Sequence, residues 1–314
     1  MQTDAIVIEQ PERLSLTRLD LDPPADEDVV VDVEWSGIST GTERLLWTGR
    51  MPPFPGMGYP LVPGYESVGR IVVAGPASGR HEGDRVFVPG AKCYGPVRGL
   101  FGGAAARVVV PGSRVLPVAE SLEERAVLLA LAATARHALV PVEGAPLPEL
   151  VVGHGVLGRL IARLTVAMGG PAPVVWERNP ERASGALGYS VVDPADDDRR
   201  DYGVMCDVSG DGAILDSLIG RLAPGGEIVL AGFYEGSLAF DFVPAFLREV
   251  RMRVAAQWRP GDLEAVSALI DAGRLSLDGL ITHRETVDRA DQAYRAAFGD
   301  PSCLKMILDW RARA

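Results

Sequence analysis

The sequence predicts an α/β protein in which a doubly wound parallel sheet is joined to a β-rich domain of the partly open barrel kind. Three observations carry that expectation. Six short apolar runs alternate with helical segments between residues 149 and 258. The first 118 or so residues hold β-rich runs broken by Gly and Pro, with no long helical pattern. The 314 residues, at about 150 per domain, leave room for two cores.

In chain order, AIVIE (5–9), DVVVDVEW (28–35), ESVGRIVVAG (66–75), DRVFVPG (84–90) and ARVVVPG (106–112) read as strands, rich in β-branched residues and flanked by turn formers. The Pro- and Gly-dense stretch from Met51 to Gly64 reads as a long loop, a feature often tied to function in compact domains. From Leu122 the period lengthens. SLEERAVLLALAATARHALV (121–140) reads as a helix, with Ser121 as its N-cap and Glu124 completing a capping box. ELVVG (149–153) then feeds a helix over 156–168, and PVVWE (173–177) a short helix over 181–186. YSVVD (189–193), VMCDVS (204–209), EIVLAG (227–232) and RMRVAAQW (251–258) supply the other strands. Apolar strands alternating with helices point to a parallel sheet covered on both faces. Mixed segments resume from about Gly273 and end in LKMILDW (304–310).

Charge and composition exclude several function classes. Lys plus Arg number 31 against 42 Asp plus Glu, a net charge of −11, which disfavours nucleic acid and anionic membrane surfaces as partners. The three cysteines, Cys93, Cys206 and Cys303, form no CxxC pair, so neither a disulfide framework nor a cysteine-rich metal site is expected. The N-terminal residues lack the basic-then-apolar order of a secretory signal. Arg159 and Arg163 interrupt the best apolar run, so no membrane span is expected. These features lead to the expectation of a soluble, cytoplasmic protein.

The chemistry-bearing motif is Gly153-His154-Gly155-Val156-Leu157-Gly158, which follows an apolar strand and opens a helix. In such a motif the first glycine permits the tight turn, the second lets backbone approach a pyrophosphate, and the third lets helix and strand pack closely. The next strand ends in Glu177, whose carboxylate can accept hydrogen bonds from the adenosine ribose hydroxyls and repel a 2′-phosphate. NAD is therefore the expected cofactor, with Arg178 beside Glu177 pulling the other way. Ser209, at the end of a later strand, joins the expected cofactor-binding set.

Two other signals are set aside. Gly37-Ile38-Ser39-Thr40-Gly41 fits GxSxG, but fewer than forty residues precede Ser39, too few for the strands that a hydrolase elbow needs before it. The histidines His81, His137, His154 and His283 are scattered, with no HExxH and no His/Cys cluster, so no metal site is expected.

The β-rich start, the dinucleotide-binding middle and the short return segment together resemble the medium-chain dehydrogenase/reductase superfamily. The resemblance is carried by GIS (37–39), PGYESVGRIV (63–72), GDRVFV (83–88), GHGVLG (153–158), LAPGGEIVLAGF (222–233) and the late Lys305. It implies a GroES-like catalytic domain over 1–118, completed by 273–314, and a Rossmann domain over 119–272. It also places Ser39, Tyr65 and Ala130 where the zinc alcohol dehydrogenases have their three metal ligands, so it implies a zinc-independent member. Glu66 stands where the family has the Glu of its G-H-E motif, and Thr134 where the family has a nicotinamide-contacting threonine. The runs at 35–70 and 88–111 look like the bacteriochlorophyllide a dehydrogenases, which oxidise the C3 1-hydroxyethyl group of a chlorin-type tetrapyrrole to an acetyl group with NAD. That resemblance implies a homodimer formed through RMRVAAQW.

Chemistry without zinc needs side chains that hold the alcohol oxygen and take its proton. The expected participants are Ser39, Thr40 and Tyr65 as hydroxyl groups, with Glu43 or Glu66 as proton acceptor. Trp47, Phe54, Met57 and Tyr59 in and beside the long loop, with Tyr94 and Phe101 in a second Gly-rich loop, are expected to line a cleft for a planar pigment. The alternatives are a zinc-free NADPH-dependent quinone or enone reductase of the same superfamily, and a non-catalytic pigment carrier.

Overall fold

The computed structural model describes residues 1–140, 144–259 and 261–313. It divides into two units, Met1–Ala130 with Asp278–Ala314, and Leu131–Leu277. Among the described residues no helix is long and apolar enough to cross a membrane.

The first unit is built on two sheets. The larger runs His283–Thr286, Met306–Asp309, Asp28–Ile38, Ser67–Ala74, Arg85–Val88 and Leu116–Pro117, with Arg107–Pro111 also pairing with Asp28–Ile38. The smaller runs Arg13–Asp20, Gln2–Gln10, Leu61–Val62 and Arg98–Gly99. The five β-rich runs all appear as strands because their Val and Ile side chains fill the core: Val29, Val30, Val31, Ile71 and Val86 are all buried. Arg13–Asp20 carries no apolar run and stays partly exposed along most of its length. It becomes a strand only because it folds back on Gln2–Gln10, from Gln2 opposite Asp20 to Ile8 opposite Leu14. The return segment adds Met306–Asp309 antiparallel to Asp28–Ile38, setting Met306 opposite Ile38. That pairing buries the neighbouring Lys305.

The helix expected over 121–140 is two different things. Glu120–Leu128 winds as 3-10 turns broken at Glu123, where φ is +46°, and only Leu129–Leu139 is α-helical. No side-chain cap forms at its start. Arg85 donates to the Glu123 carbonyl at 2.8 Å and Arg125 to the Ser121 carbonyl at 2.7 Å, so these carbonyls turn to arginines rather than along a helix. Glu124, cast as the far side of a capping box, pairs with Arg284 instead.

The second unit is a six-stranded parallel sheet in the order Ser190–Val192, Val174–Trp176, Leu150–Val152, Tyr202–Asp207, Leu222–Leu230 and Arg251–Val254. The doubly wound expectation thus holds. Chain order reverses direction between Leu150–Val152 and Tyr202–Asp207, and such a switch point opens the crevice in which ligands bind. The glycine-rich motif sits there. The helix expected over 181–186 is absent: Pro180–Arg182 is a single 3-10 turn, and Gly185 and Gly188 both take positive φ, which ends any helix. Beside the apolar core of this unit lies buried Asp197, which accepts from Trp176 Nε1 and from the Tyr202 hydroxyl, both at 2.7 Å.

Candidate functional site

The second unit presents a backbone cradle. Leu150–Val152 runs into Gly153 at φ +104°, and the helix Val156–Ala167 starts directly after the turn. A Cβ on Gly158 would lie 1.8 Å from the Gly153 carbonyl oxygen, so no larger residue fits between strand and helix. A Cβ on Gly155 would meet nothing within 4 Å. The backbone at Gly155 is therefore open to approach, and the first N–H groups of the helix point out of the turn. This is the cradle that a pyrophosphate needs, and the residues fit a dinucleotide. Val156 is buried beneath the turn and Leu157 half-buried beside it.

Glu177 accepts the His154 backbone N–H at 3.2 Å and the Asn179 N–H at 2.8 Å, which fixes its carboxylate beside the turn. Arg178 is exposed. The His154 imidazole is buried, with Nδ1 2.6 Å from the Arg182 carbonyl and Nε2 2.8 Å from the Tyr189 hydroxyl. Burial pushes it down to about 4, so the ring is neutral. Its partners assign the proton: Nδ1 donates to the carbonyl and Nε2 accepts from Tyr189. Across the switch point, Ser209 backs onto the turn, its nitrogen 3.4 Å from where a Gly153 Cβ would stand. Asp207 holds that wall by accepting from the Ser209 N–H at 2.9 Å and the Tyr234 hydroxyl at 2.6 Å. Thr134 lies partly exposed on Leu129–Leu139.

The first unit presents a hydroxyl pair over a buried charge network. Where Asp28–Ile38 ends, Ser39 Oγ lies 2.7 Å from the Tyr65 hydroxyl. Burial raises the Tyr65 phenol well above its ordinary value, reinforced by the nearby Glu66, so it stays protonated. Beneath the pair, Glu43 opens the helix Thr42–Thr48 and accepts the Ser39 N–H at 3.1 Å and the Tyr294 hydroxyl at 2.8 Å. Burial raises Glu43 to about 7 against the pull of those two donors. Glu66 accepts from Lys305 Nζ at 2.6 Å, and Lys305 also donates to the Ile38 carbonyl at 3.2 Å. Glu66 is fully buried, and among the described residues its Oε1 finds no hydrogen-bond partner. A Cβ on Gly37 would stand 2.3 Å from the Glu66 Oε2 atom, so the strand can carry only glycine there. Thr40, next in the chain, is half-exposed.

Two shared hydroxyls can do one thing well. One donates to the other, Tyr65 also bonds the Thr42 side chain, and hydroxyls grouped in this way can turn a hydrogen to a third oxygen, such as that of an alcohol. The donor set does not suit zinc. Ser39, Tyr65 and Ala130 offer hydroxyls and a methyl group, not thiolate or imidazole, and among the described residues no three His, Cys, Asp or Glu side chains converge.

The six aromatic and Met candidates separate into two groups. Phe54 and Phe101 stand edge to face with ring centroids 6.2 Å apart, and Phe101 and Tyr65 at 5.4 Å, so an aromatic row leads from exposed Phe54 to the hydroxyl pair. Met57 is half-buried beside them. Trp47, Tyr59 and Tyr94 point the other way. Trp47 is packed in the core against Tyr294, the Tyr59 hydroxyl donates to the Leu46 carbonyl, and buried Tyr94 donates to the Gly102 carbonyl. The two tyrosine hydroxyls are satisfied by backbone and Trp47 by ring packing, so the three stiffen the loops rather than face a cleft.

Two network members had no chemical role in the sequence reading. Tyr294 and Lys305 lie 251 and 239 residues from Glu43 and Glu66. The available signal is that Lys305 is one of only two lysines in the chain and stands in an apolar run, directly before the strand Met306–Asp309.

Residues 25–120 match the family model described as the alcohol dehydrogenase GroES-like domain. The chain is 57% identical to the 2-desacetyl-2-hydroxyethyl bacteriochlorophyllide A dehydrogenase of Cereibacter sphaeroides, with all of both chains covered. It is 56% identical to the protein of the same name from Rhodobacter capsulatus, with 99% of each covered. The solved structures of Bacillus subtilis 2R,3R-butanediol dehydrogenase (TM-score 0.82, 21% identity, 98% of this chain and 99% of that one) and Escherichia coli L-idonate 5-dehydrogenase (0.85, 19%, 98% of each) share its fold. A glycine cradle on a parallel sheet, a GroES-like domain and full-length identity above one half leave one assignment: the chain belongs to the 2-desacetyl-2-hydroxyethyl bacteriochlorophyllide A dehydrogenase family of the medium-chain dehydrogenases/reductases.

Proposed function

We propose that this protein oxidises the C3 1-hydroxyethyl group of a bacteriochlorophyllide to an acetyl group, using NAD and no zinc, in bacteriochlorophyll synthesis. The observation that carries the substrate is the full-length identity to two relatives named for that activity. NAD held on the glycine turn would supply the hydride acceptor for the carbinol carbon. The chain does the rest. Ser39 and Tyr65 hold the alcohol oxygen by turning a hydroxyl hydrogen to it, the substrate oxygen competing with the Thr42 side chain, and they stabilise the negative charge that grows there. Glu43 takes up the released proton, because burial has brought it to about 7 while Glu66 is committed to Lys305. Phe54, Phe101 and Met57 offer the flat apolar surface for the macrocycle, with Trp47, Tyr59 and Tyr94 bracing them from behind. The glycine turn, Ser209 and Thr134 bind the cofactor, and Glu177 favours NAD over NADP by repelling a 2′-phosphate. Three buried free cysteines suit a reducing cytoplasm.

The test is an anaerobic assay of the purified protein with NAD and 3-(1-hydroxyethyl) bacteriochlorophyllide a, following the pigment's absorption shift with and without a chelator. Conversion to the acetyl product at the same rate in both, and slower with NADP, is expected. Pigment binding without turnover on either cofactor would leave a carrier, and chelator-sensitive turnover would overturn the zinc-free mechanism.

The same reading includes a homodimer. Arg251–Val254 is the open edge of the sheet, and Val254 is 77% exposed beside the helix Phe242–Leu247, on which Phe242 is 70% and Leu247 72% exposed. Edges and apolar patches of this kind are commonly covered by a symmetric copy. Light scattering at micromolar concentration should give twice the 33.4 kDa chain mass, and V254D/L247D should give one. A monomeric parent protein would contradict the dimer.

A further inference from the structure

Parallel neighbours are usually joined through a helix, yet residues 177–189 hold only the 3-10 turn Pro180–Arg182. The connection is instead fastened to the glycine turn by polar side chains. Arg159, buried on Val156–Ala167, donates from Nε to the His154 carbonyl at 3.0 Å, and from Nη2 to the Arg182 and Ser184 carbonyls at 3.0 and 2.8 Å. His154 donates to the same Arg182 carbonyl and accepts from Tyr189, whose ring stands edge-on to the imidazole with centroids 5.6 Å apart. Gly185, at φ +84°, leaves the space that Arg159 fills: a Cβ there would stand 2.4 Å from Nη1. A buried guanidinium is tolerated when its donors are met, and here main-chain carbonyls on both sides of one gap meet Nε and Nη2. Glu177 spans the same gap, with one donor on the turn and the other on the connection.

We propose that Arg159 and Tyr189, acting through His154, are positioning residues that set the choice of nucleotide. By tying the connection to the phosphate turn they hold the Glu177 carboxylate where the adenosine ribose hydroxyls meet it. They also keep Arg178 and Arg182 from swinging in to pair with a 2′-phosphate. Discrimination by a negative group works only while that group can neither move aside nor be neutralised. This rests on the dinucleotide reading above.

The experiment measures NAD and NADP dissociation constants on the full chain for the parent protein, Tyr189→Phe and Arg159→Met, with thermal stability and kcat at saturating NAD alongside. Tyr189→Phe keeps the ring and its packing, so it guards against an Arg159→Met protein that fails to fold. Tyr189→Phe should shift the NAD-to-NADP affinity ratio toward NADP by about fivefold and Arg159→Met by about tenfold or more, with kcat within about twofold of the parent. An unchanged ratio in Tyr189→Phe and in folded Arg159→Met, whatever happens to stability, makes the clamp purely structural and overturns the proposal. A parent protein that binds neither nucleotide overturns the cofactor reading, and the proposal falls with it.

Discussion

Lys305→Met should destabilise the protein by about 3–5 kcal/mol, the usual cost of stripping one partner from a buried ion pair. Lys305 is 1% exposed and Glu66 fully buried, and among the described residues their 2.6 Å contact is the only hydrogen bond to the Glu66 carboxylate. Without the ammonium, two carboxylate oxygens stand in a dry site that the backbone of Gly37 leaves no room to rearrange. Adding Glu66→Gln should return much of the loss, because it removes the orphaned charge and keeps the shape. Urea unfolding of the parent, the single and the double variant, followed by tryptophan fluorescence, gives the answer. A loss below about 1 kcal/mol, or no rescue by Glu66→Gln, would mean that water reaches the pair.

What the sequence shows and what it hides divide along a physical line. Val29, Val30 and Val31, or Leu150 and Val152, announce strands because the apolar surface that drives burial sits in consecutive residues. The glycine turn is equally plain, since Gly153 is required by its own positive φ and Gly158 by the Gly153 carbonyl five residues before it. Glu120–Leu128 is hidden because its kink is held by Arg85, 38 residues from Glu123. Arg13–Asp20 is hidden because its pairing partner, not its own pattern, makes it a strand. In the candidate site, Ser39 and Tyr65 come to notice through family position, while their 2.7 Å contact joins residues 26 apart. Tyr294 and Lys305 arrive from the return segment and carry no local signal of the carboxylates that they serve.

Ser39→Ala and Tyr65→Phe should each lower kcat by about 100- to 1,000-fold, the range seen when a donor to a developing oxyanion is removed. Tyr65→Phe is the sharper test. The ring keeps its edge-to-face contact with Phe101 at 5.4 Å, so pigment binding and stability should change little while the oxygen loses its hold. The two hydroxyls act as a unit, since either supplies the hydrogen that lets the other donate onward. The double variant should therefore be only slightly slower than the worse single one, well short of the product of the two losses. Multiplicative losses would mean that the groups act independently and that their contact is incidental. Burial and Glu66 keep the Tyr65 phenol protonated well above its ordinary range, so it works as a donor and not as a phenolate base. The Tyr65→Phe defect should then be nearly constant from about pH 6 to 9, in steady-state assays with both substrates saturating. A defect that grew across that range would show the phenol ionising during turnover, and the proton would then leave through Tyr65 itself rather than pass to Glu43.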